Sequence, residues 1–186
     1  PITDPVPSAD SWSDEHPPQA SRSLLERTVL PSQVTIAVTS SKGGSGKTTL
    51  TRALISAAIA ANRHATIIDA DSTGVLGAWY RRAEAGGRSS PLLQLVEVRS
   101  VAAIEREIDR LYEQDLADFV FIDTAGVGAE WSDSVAVLAD HLVTPVMLST
   151  SDFDVGEQTA AWFEKLKTRV DDPAALPRHH VVLNLV

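Results

Sequence analysis

Residues 38–55 read VTSSKGGSGKTTLTRALI, and this stretch decides the fold of the chain. It joins an apolar, β-rich run at 34–40 to an apolar helical pattern at 47–62, with three glycines between the two. A strand, a Gly-rich turn and a helix in this order form the context of a P-loop, the loop that wraps phosphate groups. The stretch contains two lysines, Lys42 and Lys47, and only Lys47 has an obvious role in such a loop.

The chemistry of this loop is predicted to be phosphate binding. Its glycines let backbone N–H groups point inward, and the helix that follows adds partial positive charge at its N-terminus. Lys47 can reach the β- and γ-phosphates, Thr48 can ligate Mg²⁺ through its hydroxyl, and Thr49 can bond the α-phosphate. The predicted phosphate site consists of Gly43, Gly44, Ser45, Gly46, Lys47, Thr48 and Thr49.

The remainder of the chain alternates apolar runs with amphipathic segments. Near-continuous apolar strands alternating with helices predict an α/β fold of three layers, with a mostly parallel, twisted sheet and helices on both faces. Further strands are predicted at 65–71, 92–98, 118–124, within 141–150 and at 179–186. Further helices are predicted at 74–87, from a cap at Ser100 to about 115, and over 132–140 and 155–170.

Two helices show a clear apolar stripe at helical spacing. The first stripe is predicted in the helix at 47–62, and the second in the helix that Ser100 caps. The first consists of Leu50, Leu54, Ala57, Ala58 and Ala61, and the second of Val101, Ile104, Ile108 and Leu111.

Polar residues follow several of the predicted strands. Parallel sheets bind ligands beyond the carboxyl ends of their strands, which is where Asp69–Asp71 and Asp123–Gly126 fall. Asp123 ends the apolar run FVFID about 75 residues after the loop, as expected of the acidic residue that holds Mg²⁺ in a P-loop nucleotidase. Gly126 can place a backbone N–H near the γ-phosphate. The predicted metal set is Thr48, Asp69 and Asp123, with Asp69 acting indirectly.

Composition limits the class of protein. The 186 residues suffice for one domain, and 44% of them are hydrophobic. A net charge of -9 argues against a globally basic nucleic-acid binder. The local basic cluster WYRRAEAGGR at 79–88 has two interpretations, a solvated helix face or a contact with DNA or a partner.

No apolar run reaches 18 residues and no signal peptide is visible, so we expect a cytoplasmic protein without a membrane span.

The N-terminal segment differs from the rest. Residues 1–31 contain six of the ten prolines and more acidic than basic residues. We expect a flexible extension, either inert or serving as a partner-binding arm, ahead of a P-loop ATPase domain at 32–186.

The loop resembles that of one family in particular. KGGSGKTT at 42–49 matches K-G-G-x-G-K-[ST]-T, the deviant P-loop of the ParA/MinD ATPases, and Ser41 replaces the first glycine of the common motif. Three later segments resemble the family's switch I, its switch II and its late strand. They are IIDADS at 67–72, IDTAGVG at 122–128 and VVLNLV at 181–186.

The resemblance implies ATP and Mg²⁺ as ligands and a homodimer that forms on ATP binding. In the family, the additional lysine, here Lys42, crosses the dimer interface to the partner's phosphates, and the asparagine at the Asn184 position binds adenine. Asp71 is then the residue that orients the attacking water, although Ser72 and Thr73 replace the usual Pro-Gln. The implied catalytic set is Lys42, Lys47 and Asp71.

Two functions remain open at this point. The first is a slowly hydrolysing ATP switch in plasmid or chromosome partition or in DNA transfer, reset by a ParB-like activating partner. The second is an ATP-dependent localiser or regulator of proteins without direct DNA contact, which the acidic charge favours. The absence of cysteine excludes an iron–sulfur reductase. We also expect the chain to lack the family's C-terminal helices and any membrane-targeting helix.

Overall fold

The protein is described by a computed structural model that covers residues 33–41, 43–124 and 131–184. The predicted N-terminal extension, Lys42 and Gly126 lie outside the described residues. Asn184 is described as part of a strand, but its side chain is outside the description.

Six parallel strands form one sheet in the described part of the chain. Its order is β3-β2-β4-β1-β5-β6, so the first strand lies in the interior and the chain winds outward in both directions. The strands are β1 Val34–Val38, β2 Ala65–Asp69, β3 Leu93–Glu97, β4 Phe119–Asp123, β5 His141–Met147 and β6 Arg178–Asn184.

Five α-helices connect these strands in the described part of the chain. None of them combines the length and the apolar character needed to cross a membrane. They are α1 Lys47–Ala60, α2 Val75–Ala85, α3 Val101–Glu113, α4 Ser132–Leu138 and α5 Thr150–Lys167, and a 3-10 turn at Pro173–Ala175 precedes β6.

Helices cover both faces of the sheet and create two separate cores. On one face, Ile55 of α1 and Leu76 of α2 pack against Ile67 and Phe121. On the other face, α3, α4 and α5 cover the sheet, and their contribution includes Ile104, Val135 and Phe163. Burying apolar strands on both faces favours the parallel sheet, and the predicted three-layer α/β fold is confirmed.

The apolar stripe predicted for α1 is confirmed only in part, at Ala58 in the core and Leu54 packed against it. Thr51, Ile55 and Ala58 are the buried residues of this helix, whereas Leu50 and Leu54 are half-buried and Ala57 and Ala61 are exposed. Small and apolar residues surround almost the whole helix, so periodicity alone does not select one stripe. Thr51 tolerates complete burial because its hydroxyl donates to the carbonyl oxygen of Lys47 at 2.9 Å. The stripe predicted for α3 is confirmed, with Ile104 and Leu111 buried.

Helix α5 begins five residues earlier than predicted. Ser149 is its N-cap, and the Ser149 hydroxyl contacts the carboxylate of Asp152 in the first turn. A carboxylate at this position is favourable because the first turn of a helix carries partial positive charge. The polar sequence STSD is therefore a helix start, although the apolar pattern begins only at Val155.

Candidate functional site

The strand order brings the three predicted ligand-binding segments to one edge of the sheet. β4 lies between β1 and β2, and Asp123 is in register with both Val38 and Asp69. The loops that leave β1 and β2 therefore meet at the end of β4, around a cleft of about 500 Å³. It is lined by Gly43, Gly44, Gly46, Lys47, Thr48, Thr49, Asp71, Ser72, Thr73 and Asp123. Clefts of roughly 300–1,000 Å³ are typical of small-molecule sites.

The backbone of the Gly-rich loop turns at two glycines with positive φ. Gly44 and Gly46 have φ angles of 78° and 88°, in the left-handed region where a side chain is strained. Gly46 is also the N-cap of α1, so the N-terminal end of this helix, with its partial positive charge, borders the cleft. Ser45 has a buried hydroxyl without a hydrogen-bond partner among the described residues, which leaves a donor available inside the loop.

Asp69 organises the segment that follows β2. It is completely buried, and its two carboxylate oxygens accept from the N–H groups of Asp71 at 3.2 Å and Gly77 at 2.9 Å. Position 77 requires glycine, since a Cβ there would lie 2.7 Å from the Asp69 carboxylate. Asp71 in turn accepts from the N–H of Thr73 at 2.9 Å. Because both Asp69 oxygens are engaged by backbone donors, the contacts favour an indirect role for Asp69 at a metal ion.

Asp123 carries the largest electrostatic perturbation at the site. Its burial, followed by the nearby charges of Asp69 and Asp71, raises its pKa to about 7, although Lys47 and Arg52 act in the opposite direction. Three carboxylates converging on one edge repel each other, and a divalent cation relieves that repulsion. The donors around this point are oxygens, from the hydroxyl of Thr48 and the carboxylate of Asp123, which is the ligand type that Mg²⁺ prefers.

Arg52 contributes to the electrostatics of the site and was not predicted from the sequence. Its guanidinium lies 5.5 Å from the centre of the Trp79 ring, and its Nε is buried without a hydrogen-bond partner among the described residues. Arg52 follows Thr48 by four positions, so both lie on one face of α1. That spacing was the available signal, because a cation one helical turn from the hydroxyl predicted to bind Mg²⁺ offsets carboxylate charge. The contact with Trp79 also joins α1 to α2, the helix that follows Asp71.

The raised pKa of Asp123 predicts an unusual pH dependence of stability. Without nucleotide or metal, the folded protein holds a proton on Asp123 up to about pH 7, whereas the unfolded chain releases it near 3.8. The free energy of unfolding therefore falls as pH rises between these values. Asp123→Asn removes the carboxylate that causes this fall in the free energy of unfolding. The variant should therefore be more stable than the parent at pH 8, by up to about 4 kcal/mol. Denaturant unfolding at pH 4.5 and pH 8, in the presence of a chelator, measures the difference.

The matched control for this measurement is Asp109→Asn, which neutralises an exposed carboxylate on α3. It should produce no comparable gain at pH 8. An Asp123→Asn protein whose stability relative to the parent is the same at both pH values would contradict the raised pKa.

The structure brings most of the predicted site residues together, and the exceptions are specific. Ser45 and Asp69 are buried beside the cleft and do not line it, whereas Ser72 and Thr73 do line it. Asn184 ends β6, which β5 separates from β1. The predicted roles of Lys42 and Gly126 lie outside the described residues.

Comparison with solved structures identifies the fold. The chain aligns with MinD in the MinC:MinD cell division complex of Aquifex aeolicus over 82% of its length and 69% of that chain, with 19% identity and a TM-score of 0.63. It aligns with the ATP complex of McdA from Cyanothece over 82% of its length and 70% of that chain, with 16% identity and a TM-score of 0.62. The predicted resemblance to ParA/MinD P-loop ATPases is confirmed at the level of fold.

Comparison with curated sequences identifies the family. Protein virC1 of Rhizobium radiobacter is 26% identical over 113 residues, which make up 61% of this chain and 48% of that protein. The chain thus spans about half the length of the curated relative that it matches. The model of the VirC1 protein family matches residues 33–183, which include the Gly-rich loop and every residue that lines the cleft. The chain belongs to the VirC1 protein family.

Proposed function

We propose that this protein is a Mg²⁺-dependent ATPase that works as a slow molecular switch in plasmid or chromosome partition or in DNA transfer. The observation that carries the proposal is the convergence of the Gly-rich loop, Asp71 and Asp123 on one cleft. Phosphate groups, a divalent cation and an attacking water all need groups from such separate segments. The McdA relative forms an ATP complex, which supports ATP as the nucleotide.

Each residue of the cleft has a distinct role in this proposal. The loop N–H groups and Lys47 bind the phosphates, and Thr48 and Asp123 hold Mg²⁺, which neutralises charge on the phosphates when it is bound. Asp71 orients water, and its carboxylate is held by the Thr73 N–H for that purpose. Asn184 is proposed to bind adenine and Gly126 to donate its N–H near the γ-phosphate. No arginine finger is assigned among the described residues, and a ParB-like partner is proposed to accelerate hydrolysis.

The basic test is direct measurement of binding and turnover. Calorimetric titration with Mg²⁺·ATP should show binding with one site per chain, and phosphate release should be slow. Two results together would contradict an ATP switch. They are equal affinities for Mg²⁺·ATP and Mg²⁺·ADP and a complete absence of ATP hydrolysis, even with a cognate partner.

Dimerisation on ATP is the part of the proposal that concerns Lys42. Two ATP-bearing faces packed together place phosphate charge near phosphate charge, and a lysine from the opposite chain neutralises it. Lys42→Ala should therefore keep ATP binding and lose the ATP-dependent dimer, and Lys42→Arg should also fail because guanidinium differs in size and direction. Light scattering with Mg²⁺·ATP, in an Asp71→Ala background, measures the dimer.

The control for this prediction is Lys165→Ala, which removes an exposed lysine on α5, far from the loop in sequence. The parental chain must first be shown to dimerise. A Lys42→Ala dimer as stable as the parental one would reduce the proposal to an ordinary P-loop nucleotidase.

A second function, protein localisation without DNA contact, is favoured by one observation. Within the basic cluster at 79–88, Arg81 pairs with Glu97 at 3.1 Å, and Arg99 lies 3.9 Å from the same carboxylate. These pairs reduce the charge available for DNA on a protein that is already acidic. Retention of DNA with and without ATP, over a series of salt concentrations, separates the two functions. ATP-dependent retention that falls steeply with salt supports the DNA role.

A further inference from the structure

The start of the Gly-rich loop is attached to a helix that is distant in sequence. The backbone N–H of Ser41 donates to the hydroxyl of Thr159 on α5 at 3.3 Å, and the Ser41 hydroxyl donates to the carbonyl oxygen of Val155 at 3.4 Å. The Thr159 hydroxyl donates to the same carbonyl oxygen at 2.9 Å. The residue that departs from the common P-loop motif is thus the one that contacts α5.

This contact lies outside the cleft, and its α5 side is buried whereas Ser41 is half-buried. Thr159 is completely buried and Val155 is buried, and neither lines the cleft. A buried hydroxyl that both accepts and donates is fixed in direction, because each missing bond would leave a polar group unpaired. The Ser41 peptide is therefore held at one position immediately before the phosphate loop.

A close approach of α5 to the sheet makes the contact possible. Gly156 packs directly on Val146 of β5, and a Cβ at position 156 would lie 2.9 Å from a Val146 methyl carbon. Any larger residue would move this part of α5 away from the sheet, and Thr159 lies less than one turn further along the same helix. The glycine thus sets the distance at which the Thr159 hydroxyl meets the Ser41 N–H.

We infer that Thr159 is a positioning residue for nucleotide binding, through which α5 determines the geometry of the phosphate loop; this inference rests on the proposed function. The free loop can relax and bond Ser41 N–H to water if the Thr159 hydroxyl is lost. The bound loop must direct its N–H groups at phosphates, so it must return to the position where the Ser41 N–H has no partner. Losing this hydrogen bond therefore destabilises mainly the nucleotide-bound state, and the affinity for nucleotide falls.

The test compares two buried threonines. Thr159→Val keeps the shape of the side chain and removes the hydroxyl, and it should raise the Kd for Mg²⁺·ATP and Mg²⁺·ADP about tenfold, as expected for one hydrogen bond lost from a half-buried N–H. Thr144→Val is the matched control, since Thr144 is equally buried and its hydroxyl contacts His179 at 2.9 Å, on β5 and β6. It should lower Tm to a similar extent and leave the Kd unchanged. Thr159→Ser restores the hydroxyl and should restore the affinity.

Two outcomes would overturn the inference. One is a parental Kd in Thr159→Val, and the other is an equal loss of affinity in Thr144→Val, which would assign the effect to general destabilisation. Failure of the parental protein to bind nucleotide would be a different result, because it removes the proposed function as well.

A second pair of variants tests whether the position of α5, which Gly156 sets, affects nucleotide affinity. This test does not require Thr159→Val to fold well. Gly156→Ala should weaken nucleotide binding by displacing α5, and the addition of Val146→Ala should recover it by providing space for the new methyl group. Gly156→Ala with parental affinity would show that the position of α5 does not determine the geometry of the loop.

Discussion

Lys47→Ala is expected to abolish ATP binding at concentrations where the parent is saturated, with a loss on the order of a hundredfold or more in affinity. Lys47 lines the cleft at the first position of α1, and the proposed function assigns it to the terminal phosphates. Charge-assisted hydrogen bonds to phosphate are among the strongest in proteins, and the remaining loop N–H groups carry no full charge. Calorimetric titration of Mg²⁺·ATP into each protein measures the effect.

The control for this variant is again Lys165→Ala, which removes one positive charge from the exposed surface of α5. It should bind ATP as the parent does, so that a general effect of net charge is excluded. Near-parental affinity in Lys47→Ala would remove the P-loop assignment, and with it the proposed function.

Asp71→Ala is expected to keep ATP binding and to lose hydrolysis by orders of magnitude. A carboxylate that orients the attacking water acts mainly in the transition state, so its removal lowers turnover much more than affinity. Asp71 lines the cleft beside Asp123 and is placed there by the bond between its N–H and Asp69. Single-turnover phosphate release, with the Kd measured in parallel, tests the prediction.

Asp71→Asn separates the charge of the side chain from its structural contact. Asparagine keeps an oxygen that can accept the Thr73 N–H, which Asp71 now does at 2.9 Å, but it carries no negative charge. Both variants should be inactive if the carboxylate orients the water. Parental hydrolysis by Asp71→Asn would mean that Asp71 only shapes the segment at 71–73 and that another group positions the water.

Local signals in the sequence were sufficient to predict the Gly-rich loop and the class of fold. One short stretch of sequence contains the strand, the glycines that can adopt positive φ and the helix that follows them. The structure has Gly44 and Gly46 in that conformation. Asp123 was predicted as a site residue because it ends an apolar strand about 75 residues after the Gly-rich loop. Alternating strand and helix patterns predicted the parallel three-layer arrangement, since only burial on both faces accommodates such apolar strands.

Other features depend on contacts between segments that are distant in sequence, and no short stretch of sequence predicts those contacts. The insertion of β4 between β1 and β2 places Asp123 opposite Asp69, and their mutual repulsion contributes to the raised pKa of Asp123. The buried stripe of α1 was selected by packing, because apolar residues lie on several sides of that helix and periodicity leaves the choice open.

The sequence by itself determined the turn of the Gly-rich loop and the lysine that follows it, because backbone freedom at glycine and the charge of Lys47 are properties of neighbouring residues. Only the tertiary structure decided how that loop is held. Ser41 and Thr159 are 118 positions apart, and they meet because Gly156 lets α5 approach β5 closely. Such a contact depends on the distance between packed elements, which is set by side-chain volumes throughout the core and leaves no pattern in either segment.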